Sequence, residues 1–235
     1  ARFGSAVHAV FERTDFAAWR GVPDIPPAQL PLIEHALADH GVAEGAALPR
    51  AVASVGSMLR DALNAPLPCG TPLTDVPPEA RRAEIEFHLS LAPSASAALY
   101  KLLHAHQYQL ARRGVAPANL AGLLTGKIDL TFRHAGRYWI VDWKTNRCAP
   151  YDSAALDAEI ARHDYDLQWL IYTLALHRWL GATLPDYDYA RDFGGVFYLF
   201  VRGMRGGGGV RADRPPQHLI EAMDALFDTR DKVAA

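Results

Sequence analysis

The sequence has few cysteines, few lysines and no long apolar run, and each shortage excludes a class of protein. Two cysteines in 235 residues, Cys69 and Cys148, are too few for a disulfide framework or a four-thiolate metal site. We therefore expect free thiols in a reducing, cytoplasmic compartment.

The sequence has no stretch of about 18 apolar residues and no basic-then-apolar leader, so it predicts neither a membrane span nor a signal peptide. Because it begins at Ala1 without methionine, we expect a fragment of a longer chain or a processed one.

Charge of one sign is not in excess either. The 24 basic and 26 acidic residues nearly cancel, so net charge gives no argument for a nucleic-acid partner. Half of the residues are hydrophobic and only 21% are charged, which excludes an intrinsically disordered chain. Only four basic residues are lysines, so a lysine in apolar surroundings is a candidate functional residue.

The hydrophobic periodicity predicts helices first and a small sheet later. The predicted elements are helices at 4–19, 28–40 and 49–64, a strand at 82–91, a helix at 95–113, a hairpin within 123–144, helices at 152–163 and 166–180, a strand at 194–203 and a helix from 215 to about 228. This order is typical of the mixed α/β class, in which helices flank a small mixed sheet. We expect one domain over residues 1–235, with a mainly helical part at 1–80 and the core at 81–235.

Residues 123–144 carry the most informative pattern. Two β-rich runs flank a short turn at Ala135-Gly136, which is typical of a β-hairpin. Centring the turn there pairs Asp129 with Asp142 on the opposite strand. Directly opposed side chains have Cβ atoms about 5 Å apart, and like charges at that distance are destabilising unless they are neutralised. A divalent cation would neutralise them, since hard cations take oxygen ligands.

A lysine lies beside the two aspartates. Side chains alternate along a strand, so Asp142 and Lys144 share a face and are about 6.6 Å apart along it. Two carboxylates with a metal and a neighbouring ammonium suit phosphodiester hydrolysis. The alternative is a surface ion-pair ladder in which Lys127 or Lys144 simply neutralises the aspartates. Charges at the end of an apolar strand more often form a site, which favours the first interpretation.

These motifs resemble those of a known family. Residues 126–129 (GKID) followed by 142–144 (DWK) resemble the hairpin signature of the PD-(D/E)XK nuclease superfamily. Gln168-x-x-x-Tyr172 is similar to a further motif of its helicase-linked branch, and the resemblance extends from about residue 3 to residue 227. The family motif begins with Pro-Asp where this chain has Ile-Asp, but the proline is often absent. The resemblance implies a restriction-endonuclease-like core and a DNA nuclease.

The resemblance also implies a role for each motif residue. Asp129 and Asp142 would bind Mg²⁺, the backbone carbonyl of Trp143 would complete part of the shell, and Lys144 would be the catalytic lysine. His8 matches a histidine that this branch brings from its N-terminal helix as a further metal ligand. Without the family resemblance, His8 would be interpreted as an ordinary helix histidine.

Gln168 and Tyr172 are implied to lie beside the DNA strand. Their i, i+4 spacing puts them on one helix face, which is equally typical of a tyrosine at the edge of a core. The implied partners are DNA without sequence preference, a helicase part of the same chain, two further subunits of a helicase–nuclease, and a recombinase. No membrane partner is implied.

The sequence is compatible with three candidate functions for this chain. The first is a Mg²⁺-dependent exodeoxyribonuclease domain of a helicase–nuclease that processes double-strand breaks. The second is a catalytically silent domain that docks partner subunits, although docking has no need of Asp129, Asp142 and Lys144 together. A two-carboxylate glycosidase fits less well, because it leaves Lys144 and His8 without a role.

Overall fold

The structure is a computed structural model that describes residues 2–108 and 121–227, apart from the side chain of residue 123. In these ranges the chain forms eight α-helices and five strands. The helices are α1 (Arg2–Arg13), α2 (Leu30–Asp39), α3 (Leu48–Asn64), α4 (Pro93–Ala105), α5 (Ser153–His163), α6 (Tyr165–Thr183), α7 (Tyr189–Asp192) and α8 (Gln217–Asp224). The strands are β1 (Arg81–Leu91), β2 (Gly122–His134), β3 (Arg137–Lys144), β4 (Phe193–Phe200) and β5 (Val210–Asp213).

Most predicted elements are present, with changed ends. The helix predicted at 95–113 ends at Ala105, and residues 109–113 of that prediction lie outside the described residues. Helix α1 stops at Arg13, and residues 16–19 form a separate 3₁₀ turn that Asp15 caps by accepting a hydrogen bond from the N–H of Ala17. The short strand β5 was not predicted, because four residues are too few to show a period.

The five strands form one mixed sheet in the order β1-β2-β3-β4-β5. Neighbouring strands are antiparallel except for β3 and β4, which are parallel. The mixed α/β class is therefore confirmed. The predicted hairpin is also confirmed. Ala135 and Gly136 both have positive φ, as a tight two-residue turn requires, and Arg133 pairs with Tyr138 as predicted.

Helices cover both faces of the sheet. Helices α1, α2 and α3 pack on one face around Val7, Phe11 and Leu59, against Trp143 of β3. Helices α4, α5, α6 and α8 pack on the other face, against residues that include Tyr198 of β4. Strand β4 is buried along its whole length because it lies between these two layers. No helix in the described part of the chain is long and apolar enough to cross a bilayer.

The alternation of side chains between the two faces of the sheet is interrupted on β2 at Asp129. Ile128 packs into the core on the α6 face of the sheet, whereas Leu130 packs into the core on the α1 face. Residues two apart on a regular strand share a face, so β2 is irregular at Asp129. Glu84, at the same level of β1, has a φ of 52°, and it interrupts the pairing between Ala83 and Ile85. Such irregularities re-aim side chains and are frequent next to active sites.

Candidate active site

The two hairpin aspartates lie next to each other just beyond the end of the β2–β3 ladder. The last pair along this ladder is Leu130 with Val141, one position short of Asp129 and Asp142. Oδ2 of Asp129 accepts a hydrogen bond of 2.8 Å from the backbone N–H of Trp143. The predicted register is therefore confirmed up to Leu130. The aspartates themselves are not a ladder pair, because the Asp129 side chain takes a donor of β3.

Lys144 and Asp142 form a buried ion pair. Their side chains are 9% and 2% exposed, and Nζ of Lys144 lies 2.5 Å from Oδ2 of Asp142. Nζ also donates a hydrogen bond of 2.8 Å to Oε1 of Gln168 on α6. The ammonium group is thus held between a strand carboxylate and a helix amide, at the end of the apolar strand β3.

Aromatic rings surround this lysine. Nζ lies 3.8 Å from the ring centre of Tyr165 and 4.7 Å from that of Tyr198, both within cation–π range. The hydroxyl of Tyr198 also donates to Oε1 of Gln168, at 3.0 Å. The amide nitrogen of Gln168 in turn donates to the hydroxyl of Tyr172, at 2.7 Å. The predicted pair Gln168 and Tyr172 therefore lies at the site, in one hydrogen-bonded network with Lys144.

Tyr165 and Tyr198 were not predicted as site residues. Tyr198 lies within the apolar run of β4, where nothing in its neighbours distinguishes it from a core tyrosine. It reaches Lys144 because β3 and β4 run parallel with Asp142 beside Tyr198, a register that only the folded sheet supplies. Tyr165 is the first residue of α6, one turn before Gln168, and this spacing was the one available signal.

Helix α1 brings His8 to the two aspartates. Nδ1 of His8 lies 3.3 Å from Oδ1 of Asp129. One turn further along the helix, the ring of Phe11 stacks on Trp143 at 4.0 Å between centres, with 13° between the ring planes. This stacking fixes α1 against β3, so the predicted residue His8 lies in the site although it is more than a hundred residues away in sequence.

Burial and charge change the proton affinity of Asp142 and His8. Burial raises the pKa of Asp142 to about 6, with a further increase from the charge of Asp129, although the charge of Lys144 opposes it. Burial alone would lower the pKa of His8. The hydrogen bond to Asp129 and the charges of both aspartates outweigh burial, so the pKa of His8 lies above its usual value.

The carbonyl of Trp143 points to the same side of β3 as Asp129. The carbonyl of Lys144 accepts a hydrogen bond of 3.0 Å from the N–H of Val201, which follows β4 directly. Successive carbonyls of a strand point to opposite edges, so the Trp143 carbonyl is directed towards β2. It therefore lies on the same strand edge as the Trp143 N–H, which donates to Asp129.

The oxygen atoms of the site are suitable ligands for a hard divalent cation, but the side chains alone do not form a complete coordination shell. In the described ranges, no three His, Cys, Asp or Glu side chains converge in a metal-binding arrangement. Oδ2 of Asp142, however, is buried, and no described group donates a hydrogen bond to it in good geometry, despite the nearby ammonium of Lys144. Two carboxylates and a backbone carbonyl are oxygen ligands of the kind that Mg²⁺ prefers, whereas an imidazole is atypical for it.

The second hairpin lysine has other partners. Nζ of Lys127 lies 2.7 Å from Oε2 of Glu84 and 3.2 Å from Oε1 of Glu86, in an exposed cluster on β1 and β2. A surface ion-pair ladder therefore exists, but it involves these two glutamates. Lys144 does pair with Asp142, as the ladder interpretation allows, but this pair is buried and is therefore not part of a surface ladder.

A cleft of about 460 Å³ opens beside the network. It is lined by Gln168, Ile171 and Tyr172 of α6 and by residues of β1 and β2 that include Gly126. A Cβ at Gly126 would lie 2.7 Å from the ring of Phe87, so the glycine allows the close approach of this ring to β2. The cleft gives solvent access to the α6 side of the site.

Comparison with known proteins identifies the family. A family model of the PD-(D/E)XK nuclease superfamily matches residues 1–234. Three relatives are described as RecBCD enzyme subunit RecB. The protein from Haemophilus influenzae is 44% identical over 151 residues, covering 61% of this chain and 12% of the relative. That from Escherichia coli K12 is 38% identical over 177 residues, covering 70% and 15%. That from Mycobacterium tuberculosis H37Rv is 33% identical over 262 aligned positions, covering 97% and 24%.

The chain thus spans between about an eighth and a quarter of the length of these relatives. The match to the family model covers nearly the whole chain, and it includes both strands of the hairpin and helix α6. The chain belongs to the PD-(D/E)XK nuclease superfamily.

Proposed function

We propose that this chain is a metal-dependent DNA nuclease domain that hydrolyses phosphodiester bonds. Asp129, Asp142 and the carbonyl of Trp143 would hold Mg²⁺, with His8 as a further ligand. The observation that carries the proposal is the buried Asp142, whose Oδ2 lacks a well-oriented donor although it faces Lys144 and adjoins Asp129. The ammonium of Lys144 offsets one negative charge of this pair of carboxylates, and a divalent cation would offset the charge that remains.

Bound there, a divalent cation would polarise the phosphate and activate a water molecule. The residues of the chain supply the rest of the chemistry. Lys144 presents a fixed positive charge that stabilises the negative charge developing on the phosphate, or orients the attacking water. Gln168 and the rings of Tyr165 and Tyr198 hold that ammonium in place, so little reorganisation is needed during the reaction.

We further propose that the domain works within a RecBCD-type helicase–nuclease, as an exodeoxyribonuclease in double-strand-break processing and recombinational repair. The relatives are four to eight times longer than the aligned segment, which leaves room for a helicase part on the same chain. RecC- and RecD-like subunits, and a RecA-like recombinase, are the partners that this assembly would bring, in the cytoplasm where chromosomal DNA lies.

A net charge of −2 gives little attraction for a phosphate backbone, so we expect weak cutting without sequence preference unless a motor feeds the strand.

The test combines metal binding with cleavage. Mg²⁺ titration by calorimetry and digestion of labelled linear DNA, with Mg²⁺ or with EDTA, are compared for the parent protein and for Asp142→Asn. Asp39→Asn is the matched control, because Asp39 is an exposed residue of α2 that has no part in the site. Loss of both binding and cutting in Asp142→Asn alone supports the proposal. A parent protein that binds no Mg²⁺ and leaves DNA intact would favour the silent docking domain instead.

A further inference from the structure

A second depression, which we call the hairpin groove, lies beside the turn of the β2–β3 hairpin. It has a volume of about 250 Å³, and its lining includes three arginines, two aromatic residues and one glutamate: Arg81, Arg82, Arg133, Tyr138, Trp179 and Glu79. Three positive charges against one negative charge make the groove basic, in a chain whose net charge is slightly negative. None of the residues in the candidate active site belongs to it.

Two of the arginines in the hairpin groove have other contacts within the protein. The guanidinium of Arg81 lies over the ring of Phe16, 3.7 Å from its centre, and the charge of Arg133 helps to lower the pKa of Asp192. Arg82 and Arg133 are exposed, and within residues 2–108 and 121–227 neither forms an ion pair or a side-chain hydrogen bond. Nη1 of Arg81 is buried without a hydrogen-bond partner among the described groups. Buried donors are ordinarily satisfied, and exposed arginines that protein carboxylates leave unpaired are available to phosphate oxygens.

The aromatic residues add flat apolar surfaces next to these charges. Tyr138 and Trp179 are half-buried and contact each other edge to face, with 6.3 Å between ring centres. The guanidinium carbon of Arg133 lies 5.7 Å from the ring centre of Tyr138. Positive charge interleaved with aromatic rings is the combination that binds single-stranded nucleic acid, in which phosphates meet arginines and bases stack on rings.

The groove extends onto the α6 face of the sheet, where Tyr138 and Trp179 pack, and Lys144 meets Gln168 on the same face. Arg133 follows Asp129 by four residues on β2, and Tyr138 precedes Asp142 by four residues on β3, so each step is about 13 Å along a strand. On α6, Trp179 follows Tyr172 by two turns, or about 10.5 Å. The cleft beside Gln168 and the hairpin groove therefore lie on either side of Asp129 along the seam between α6 and β2.

We propose that the hairpin groove binds single-stranded DNA a few nucleotides from the bond that is cut. This inference rests on the proposed nuclease function. A strand crossing the site along the seam would reach the groove after about 13 Å, or about four nucleotides at the 3.4 Å spacing of a stacked strand. An acidic partner protein would need the arginines but not the rings, so the aromatic pair favours a nucleic acid.

The test measures binding alone. Affinity for a labelled single strand of mixed sequence is measured in EDTA over a range of salt concentrations. The double variant Arg82→Gln/Arg133→Gln is compared with the control Arg50→Gln/Arg205→Gln, whose two residues are exposed elsewhere on the molecule. Each lost phosphate contact lowers the slope of log affinity against log salt by about 0.7, so we expect a decrease of about 1.4 in the double variant and none in the control.

The aromatic contribution is tested with Trp179→Leu, with the thermal midpoint as a check on folding. Loss of one stacked base should weaken binding by roughly 5- to 160-fold. An unchanged salt slope in the arginine variant would overturn the inference. So would an arginine effect combined with an undiminished affinity in a folded Trp179→Leu protein, because the groove would then bind phosphates without stacking a base on the ring. Because cleavage plays no part in these measurements, a catalytically silent protein that binds normally contradicts the proposed function and leaves the groove supported.

Discussion

Oε1 of Gln168 accepts a hydrogen bond from Nζ of Lys144 at 2.8 Å, so a residue of helix α6 fixes the ammonium group of a strand residue. The same amide donates to the hydroxyl of Tyr172, which ties its orientation to the helix. The position of α6 therefore determines where the amide of Gln168 holds the ammonium group of Lys144, the buried lysine of the hairpin.

Gln168→Leu should slow cleavage by roughly 10- to 100-fold, the usual effect of removing a partner that orients a reactive group. The cause would be a loosely held ammonium, so kcat should fall while KM for DNA changes little. Single-turnover and steady-state rates measure this split. The control is Gln217→Leu, which removes a half-buried glutamine of α8 that donates to Glu221 away from the site. A Gln168→Leu protein that cuts at the parent rate would show that Lys144 needs no positioning.

The stability of the metal-free protein should depend on pH through Asp142. Its pKa is about 6 in the folded protein, against 3.8 ordinarily, so the folded state binds this proton more tightly than the unfolded state does. The resulting stabilisation is complete below about pH 4 and is lost as the pH rises through about 6. With about 1.36 kcal/mol for each pKa unit, the loss is on the order of 3 kcal/mol.

Denaturant unfolding in EDTA at several pH values from 4 to 7 measures this effect. Asp142→Asn should remove the part of this decrease that comes from Asp142, whereas Asp39→Asn should retain the full decrease. Mg²⁺ should be bound more weakly below pH 6, because protons and the metal compete for the same carboxylate. Identical pH profiles for the parent protein and Asp142→Asn would show that Asp142 is ionised throughout this range.

His8→Ala should lower the affinity for Mg²⁺ by less than Asp129→Asn or Asp142→Asn does. The imidazole is an atypical Mg²⁺ ligand, and its Nδ1 already contacts Asp129 at 3.3 Å. Calorimetric titration measures the three affinities, with His88→Ala as a control because His88 is exposed on β1. If the isotherm of His8→Ala coincides with that of the parent protein, His8 serves only to contact Asp129.

The sequence predicts the sheet-forming half of the site well, because that half depends on local patterns. The two-residue turn at Ala135-Gly136 sets the register of the hairpin, and strict alternation puts Ile85 and Phe87 of β1 into the core. The mixed α/β class follows from the order of the elements. The grouping of Asp142 with Lys144 follows from the period of a strand.

The remainder depends on contacts between distant segments. Tyr198 reaches Lys144 through the parallel pairing of β3 with β4, and the arginines of β1 meet Trp179 only once α6 lies across the sheet. The change of face at Asp129 breaks the alternation on which strand prediction relies. The position of His8 came from the family resemblance, because the periodicity of α1 does not distinguish its histidine from an ordinary helix residue.

The most direct test of the central claim compares the two hairpin lysines. Lys144 is buried against Asp142 and Gln168, whereas Lys127 is exposed and paired with Glu84 and Glu86. The measurement is the single-turnover rate of cutting a labelled linear single strand in Mg²⁺ by the parent protein, Lys144→Ala and Lys127→Ala, with thermal midpoints recorded for all three. We expect Lys144→Ala to lose cleavage while it remains folded and still binds Mg²⁺, and Lys127→Ala to cut within a few-fold of the parent rate. A folded Lys144→Ala protein that also cuts within a few-fold of the parent rate would contradict the assignment of this site.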